Sequence, residues 1–258
     1  RSETATTLTT TIFYEGVRGA ERKIQLETKE KIPVVLYEGG PTHEELRTTE
    51  IYFYNGEKGS EKLVRVWYDS DGQQDFYEGE KGAERKVRTQ FTFGDVQHFE
   101  GDAGDERMVR YSYTDGREEF FEGEAELERK VRTVYQNGTV DVYDGAAIER
   151  HVRTEYQNGT VSYYAGDAGS ERHVRTEFPN NLIQYYAGEA GSEKIVGAVG
   201  PDGVVYTYEG EAGSERQVRM DTPDGRTYLV EKGSARRFVI PDDTSKRLRT
   251  SARVAVAH

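Results

Sequence analysis

Hydrophobic and polar positions alternate in short bursts along this chain, and the bursts recur. In Arg85-Lys86-Val87-Arg88-Thr89-Gln90-Phe91, Val87, Thr89 and Phe91 fall on one side and Lys86, Arg88 and Gln90 on the other, the period-two signature of a strand. The closing aromatic returns as Tyr68, Phe91, Tyr113, Tyr135, Tyr156 and Phe178, which predicts a stacked aromatic stripe. A turn dipeptide follows it: Asp71-Gly72, Asp115-Gly116, Asn137-Gly138, Asn158-Gly159, Asp202-Gly203 and Asp224-Gly225, with Gly94-Asp95 and Asn180-Asn181 as variants. These residues tolerate positive φ at both centres of a type I′ turn, so each burst predicts a β-hairpin. The return strand, such as Val140-Asp141-Val142-Tyr143 or Val161-Ser162-Tyr163-Tyr164, puts Val140 and Val142 on one side and Tyr143 and Gly145 on the other. The polar, Gly-bearing stretch Glu80-Lys81-Gly82-Ala83-Glu84 reads as the connection to the next hairpin.

The hairpin is one unit of an array. An aromatic-x-Gly start falls at Tyr14, Tyr37, Tyr54, Tyr77, Phe99, Phe121, Tyr143, Tyr164, Tyr186 and Tyr208, spaced 23, 17, 23, 22, 22, 22, 21, 22 and 22, and a degenerate unit opens at Tyr228. A period this constant is incompatible with a single globular core, because each unit must bury its apolar groups against its neighbours. The predicted fold is all-β: an elongated, single-layer repeat array of antiparallel β-hairpins of about 22 residues. Its roughly 22 short strands at ~4.8 Å each would span on the order of 100 Å if straight. Residues 1–13 are Thr-rich and β-prone and read as an N-terminal strand or cap, 14–240 as the array, and 241–258 as a basic C-terminal tail. The unit opening at Tyr37 is short and irregular around Pro41.

Composition narrows the function classes. With 34% hydrophobic and 32% charged residues, little remains for a thick core, and a thin, exposed architecture fits. A net charge of −12, with bases sitting beside acids in every unit, argues against nucleic acid or anionic lipid as main ligand and leaves membrane association only indirect. The absence of cysteine removes disulfides and thiolate metal sites. No apolar run approaches the ~18 residues of a transmembrane helix, and the start Arg1-Ser2-Glu3-Thr4, without Met or an apolar leader, reads as a processed or trimmed piece.

On the Tyr77-Glu78-Gly79-Glu80 start, the polar loop, the short strand and the Asp-Gly or Asn-Gly turn, the chain resembles MORN repeats over residues 14 to 228. The middle departs from the family, which usually carries Trp or Phe after Tyr-Glu-Gly-x and a Gly-rich Lys-x-His-Gly-x-Gly stretch; here stands Lys81-Gly82-Ala83-Glu84-Arg85-Lys86-Val87-Arg88. The array is therefore divergent, or MORN-like. Tyr68-Asp69-Ser70-Asp71-Gly72 and Thr222-Pro223-Asp224-Gly225-Arg226-Thr227-Tyr228 also resemble the tyrosine-aspartate repeats of bacterial shell-forming toxins, although the Glu-Arg-Lys-Val-Arg core has no counterpart there. The MORN resemblance implies organisation of proteins at membranes or within assemblies.

Two charged ladders stand out. Acid-base pairs recur at Glu61-Lys62, Glu84-Arg85, Glu106-Arg107, Glu128-Arg129, Glu149-Arg150, Glu171-Arg172, Glu193-Lys194 and Glu215-Arg216, beside an arginine column of Arg65, Arg88, Arg110, Arg132, Arg153, Arg175 and Arg219. Like charges on adjacent rungs repel, so the Glu column is expected to neutralise the Arg column on an exposed face. The alternative, arginine forks gripping carboxylate, sulfate or phosphate, would favour loss of the local acids. His43, His98, His151, His173 and His258 show no shared metal spacing and are expected as surface residues; Glu122-Gly123-Glu124-Ala125-Glu126 lacks the calcium-loop spacing. Neither metal nor other cofactor is assigned, and no unique catalytic set emerges from the repeated background. Asn137-Gly138-Thr139 and Asn158-Gly159-Thr160 match glycosylation acceptors, though turn formation alone accounts for them.

The expected function is a non-enzymatic structural scaffold or protein-interaction module, with a protein partner or self-association. A secreted or cell-envelope repeat protein, structural or glycan-binding through the Tyr and Arg ladders, is the alternative. Uniqueness sits at the ends, so partner binding is expected in the tail, at Lys246, Arg247, Arg249 and Arg253 ahead of Val254-Ala255-Val256-Ala257.

Overall fold

The computed structural model describes residues 8–17, 20–35, 42–145, 148–230 and 237–240; no helix occurs among them. The strands are β1 (Leu8–Glu15), β2 (Arg22–Val35), β3 (Thr42–Asn55), β4 (Lys62–Tyr68), β5 (Gln74–Glu78), β6 (Arg85–Gln90), β7 (Val96–Glu100), β8 (Arg107–Ser112), β9 (Glu118–Glu122) and β10 (Arg129–Val134). They continue as β11 (Val140–Asp144), β12 (Arg150–Glu155), β13 (Val161–Ala165), β14 (Arg172–Glu177), β15 (Ile183–Ala187), β16 (Lys194–Val199), β17 (Val205–Glu209), β18 (Arg216–Asp221), β19 (Thr227–Val230) and β20 (Arg237–Ile240).

Two compact units divide the chain within β10, Arg1–Lys130 and Val131–His258. Inside each unit every strand pairs antiparallel with its sequence neighbours, from β1 to β9 in the first and onward from β10 in the second. Each unit is thus an all-β hairpin array, and among the described residues no second layer covers either face. Among the described residues the buried apolar set accordingly shrinks to Val66, Ala198, Val204 and Met220.

The expected strand count and one unit need correction. Instead of a separate rung opening at Tyr37, β2 and β3 pair directly from Gln25↔Phe53 to Val35↔Thr42 as one long hairpin, each strand 14 residues. A 17-residue interval is too short for two strands, a loop and a turn. Tyr37 itself lies outside the described residues. β1 crosses the expected boundary between cap and array at residues 13 and 14.

The turns are not type I′. Gly116 N donates to Tyr113 O at 3.0 Å while Tyr113 N donates to Arg117 O at 2.8 Å, and the same pair of bonds closes 135–139 and 156–160. This is a three-residue loop, a type I turn followed by one left-handed residue. Only that last residue has positive φ: +84° at Gly116, +78° at Gly138, and +64° at Asn181, which replaces glycine. The Asp or Asn before it contributes its side chain, Asn137 Oδ1 accepting from Thr139 N at 2.9 Å and Asp115 Oδ1 from Arg117 N at 2.8 Å. Pro179, Pro201 and Pro223 sit at the first loop position, where φ near −65° is required.

A bulge overturns the simple alternation. Phe76 faces Arg88 and Tyr77 faces Lys86, so Val87 is an extra, unpaired residue. The repeat places Val109, Val152, Val174, Val196 and Val218 likewise between the paired positions. Lys86 therefore shares a face with Thr89, Asp75 and Tyr77, whereas Arg88 shares the other face with Phe76; the alternation had put Lys86 beside Arg88. Each bulge re-aims the half-strand before it.

The connection after Tyr77 also needs a glycine. Gly79 has φ +122°, and a Cβ there would stand 2.6 Å from Ala83 O, whereas Gly82, at φ +81°, has open space around the same position. Gly79→Ala is expected to cost about 2–4 kcal/mol and Gly82→Ala about 1 kcal/mol in chemical denaturation, because the first combines dihedral strain with a backbone clash.

Candidate functional site

A bulge leaves backbone groups without ladder partners, and the recurring glutamate supplies them. Glu84 Oε2 accepts from Gly82 N in its own loop at 2.8 Å, and its Oε1 accepts from Leu63 N, one repeat earlier, at 3.1 Å. In the first unit Glu106 bridges Gly104 N and Lys86 N at 3.0 and 2.9 Å, and Glu128 reaches Met108 N at 2.9 Å. In the second, Glu171 reaches His151 N, Glu193 reaches His173 N and Glu215 reaches Ile195 N, at 3.0, 2.9 and 3.2 Å. Every recipient is the residue just before the bulged Val. The base that follows each Glu points the other way along the array: Arg85 donates to Gly101 O, Arg107 to Gly123 O, Arg172 to Gly188 O and Lys194 to Gly210 O, at 3.2, 3.1, 3.5 and 2.9 Å.

The expected neutralisation of the Arg column by this Glu column is thereby corrected: the glutamates are spent on backbone N–H groups. The arginines instead lie on cross-strand rings and nearby acids. Arg65 covers Phe53 at 3.9 Å, Arg88 covers Phe76 at 3.9 Å and, in the second unit, Arg175 covers Tyr163 at 4.2 Å. Arg153 pairs with Glu155 at 2.6 Å, Arg175 with Glu177 at 2.7 Å and Arg219 with Asp221 at 2.7 Å. Within each unit this face is a half-exposed ribbon of alternating guanidinium and ring, edged with carboxylates.

The opposite face has a polar floor. Thr89, only 2% exposed, donates to Asp75 Oδ1 at 2.6 Å, and Tyr68 OH donates to Asp75 Oδ2 at 3.3 Å. In the second unit Thr154 and Tyr135 OH both donate to Asp141, at 2.6 and 3.0 Å. Carboxylate partners and burial hold the phenols protonated: the hydrogen bond to Glu50 pushes Tyr52 up to about 12, and burial with the Asp95 contact pushes Tyr111 up to about 12. Large rings flank this floor on one side, alternating with the residue before each bulge.

In the second unit that alternation is Tyr143, His151, Tyr164, His173 and Tyr186, with ring centroids 5.5, 4.3, 5.5 and 4.0 Å apart. His151 and His173 are thus stacked and half-buried rather than surface residues, and burial depresses the His173 imidazole. Their Nε2 atoms meet Thr154 and Thr176 at 3.0 and 2.8 Å. His98 lies on the other face beside Arg110, at 3.1 Å, and burial, then that guanidinium, lowers its affinity for a proton. No group of three or more potential metal ligands occurs among the described residues.

Lys246, Arg247, Arg249 and Arg253 lie outside the described residues, as do His43's side chain and His258. Asn137 and Asn158 are exposed at their turns, engaged through Oδ1 as above. The role of the glutamate went unread in the sequence because its partners are backbone atoms. The signal that could have found it is the fixed Gly-x-Glu spacing in Gly82-Ala83-Glu84, Gly104-Asp105-Glu106 and Gly169-Ser170-Glu171.

No protein-family model matches this chain, and no curated protein matches it. Among solved structures, a chain of the TcdB2-TccC3 crystal structure is 13% identical with a TM-score of 0.20, over 90% of this chain and 16% of that one. The TcdB2-TccC3-Cdc42 crystal structure gives 12% identity and a TM-score of 0.18, over 90% of this chain and 15% of that one. The chain spans less than a fifth of the length of these matches, and likenesses this slight carry no argument.

Two expectations follow from the glutamate bonds. Glu106→Ala strands two backbone N–H groups and should cost about 1.5–3 kcal/mol, against less than about 1 kcal/mol for the half-exposed Arg107→Ala, as read by denaturant melts. Glu61, Glu171, Glu193 and Glu215 are held below the usual carboxylate range by backbone N–H donors; at Glu84 and Glu106 burial opposes ionisation and the donors outweigh it. A carboxylate depressed in the folded state stabilises it above its unfolded value of 4.5, and that contribution fades as pH falls through the folded value. Thermal melts should therefore decline gently below about pH 6.5, where the depressed His98 and His173 make the unfolded chain bind protons first, and drop more steeply below about pH 4.5, with the steep part shallower in Glu106→Gln.

Proposed function

We propose that this chain is a non-enzymatic scaffold, a MORN-like interaction module that meets a protein partner through the arginine-aromatic face. The observation that supports this reading is that the glutamate bonds and loop glycines hold each rung by its backbone at one margin. The ribbon of Arg153, Tyr163, Arg175 and their acids consequently repeats without being needed to close the hairpins. Repeated moderate contacts add across rungs, so the face suits graded, multivalent recognition of an extended partner surface. Arginine and tyrosine are the side chains that most often anchor such contacts.

The test is affinity capture with the full chain as bait, followed by quantitative binding of the recovered partner to face variants. Arg153→Ala and Arg175→Ala should each weaken binding, the double variant more than either, with melting temperatures within a few degrees of the parent. Unchanged binding in the double variant, with loss on removing residues 246–258, would move the attachment point to Lys246, Arg247, Arg249 and Arg253. Binding lost to neither change would refute the reading.

A further inference from the structure

We infer that Arg65 and Arg88, with Gln74 and Gln90 beside them, form a binding site for a dianionic oxyanion, taken either as a free ion or as a phosphate monoester on a protein. The observation is a difference between the two units. In the second, Arg153, Arg175 and Arg219 each have an acid two residues later on the same strand and pair with it, at 2.6, 2.7 and 2.7 Å. In the first, the residues two after Arg65, Arg88 and Arg110 are Trp67, Gln90 and Ser112. The acid that occupies an arginine within its own chain is missing there, and its loss is what a ligand-gripping arginine favours.

The register shows how far the acid-free area extends. From β3 to β6 one row of this face carries Phe53, Arg65, Phe76 and Arg88, and the row beside it Ile51, Trp67, Gln74 and Gln90. The carboxylates at its borders are already engaged. On β2, Glu27 accepts from Gln25 at 2.6 Å and meets Lys29 at 3.2 Å; on β9, Glu118 meets Arg110 at 3.4 Å; at the loop margin, Glu78 stands opposite Arg85 at 4.0 Å. Arg65 and Arg88 make no ion pair among the described residues. Arg65 lies over Phe53 at 3.9 Å and donates to Gln74 Oε1 at 3.3 Å, while Arg88 lies over Phe76 at 3.9 Å.

These contacts bring both guanidinium groups to β5 from its two sides, Arg65 from β4 and Arg88 from β6. A guanidinium stacked on a ring keeps the N–H groups along its edge for an acceptor, and that fork matches an oxyanion. The two strands are ~10 Å apart, so the like charges repel until an anion joins them. Two uncompensated positive charges call for two negative ones, which selects phosphate or sulfate over a single carboxylate. The amides of Gln74 and Gln90 and the Trp67 indole N–H supply neutral donors in the adjoining row. The inference does not rest on the protein-partner reading, whose arginines, Arg153 and Arg175, belong to the other unit and carry acids.

Trp67 is the chain's one tryptophan and pairs across the ladder with Gln74, so its emission reports this site. The full chain is titrated at about pH 7.5, where phosphate is mostly dianionic, with inorganic phosphate, sulfate, acetate and chloride at matched ionic strength, by fluorescence and by calorimetry. Phosphate and sulfate should bind saturably, and acetate at least about tenfold more weakly. A phosphoserine peptide separates the sources: binding about tenfold tighter than inorganic phosphate assigns the site to a phosphorylated protein, and equal or weaker binding assigns it to the free ion. Arg88→Gln should weaken phosphate binding about tenfold or more, and so should Gln90→Glu, which installs the acid that Glu155 and Glu177 supply to their arginines. Arg226→Gln, at an exposed turn of the other unit, should leave it unchanged. A response that chloride reproduces, acetate binding equal to phosphate, or binding that survives both Arg88→Gln and Gln90→Glu would each overturn the inference. Should Arg88→Gln fail to fold, Gln90→Glu decides alone.

Discussion

The fold rests on one demand of the backbone: an N–H group that a β-bulge withdraws from its ladder must find another acceptor. Each repeat creates that demand beside its valine, and the next repeat meets it with a carboxylate such as Glu106 Oε1, 2.9 Å from Lys86 N. The bond is charge-assisted, lies at the sheet margin and ties consecutive hairpins together where the intervening loop is polar. Hairpins alone are marginal in water. Joined in this way, each one is anchored to its neighbour by groups that every repeat brings.

With the backbone held at the margin, the faces are free to be unusual. A single layer cannot bury Leu and Val on both sides, and hydroxyls and carboxylates such as Thr89, Asp75 and Thr227 are buried alongside Val66 and Ala198. Their cost in desolvation is offset by short Thr-to-Asp and Tyr-to-Asp bonds and by the rings beside the polar floor. The second face uses guanidinium over aromatic ring, an arrangement that stays favourable when half-wet.

Much of this was legible in the residues. Period-two runs located the strands, and Asn137-Gly138 or Asp115-Gly116 located the turns, because those residues carry their conformational preference with them. The turn type was missed since one left-handed glycine after a type I turn uses the same dipeptide as type I′; the additional residue at the first loop position, Gln136 or Thr114, decides between them. The bulge escaped because Val87 continues an apparently faultless alternation through Thr89. The 17-residue interval at Tyr37 flagged an irregularity without revealing a long hairpin, as β-propensity does not fix where a strand ends. The arginine face was recognisable as a ladder, but its partners were not, for cross-strand neighbours follow from register and the bulge had shifted it.

The directionality of the margin bonds bears on how such a chain can change its length over generations. Glu84, Glu106, Glu171 and Glu193 each reach back 20 or 21 residues to a backbone atom, never to a side chain. A gene duplication that copies one whole period therefore supplies both the new acceptor and the new donor, whatever residues decorate the faces. A shift of a single position inside the loop separates them at that joint alone. Whole-period gain and loss is thus tolerated by the backbone chemistry, leaving the two faces of each added hairpin open to diverge.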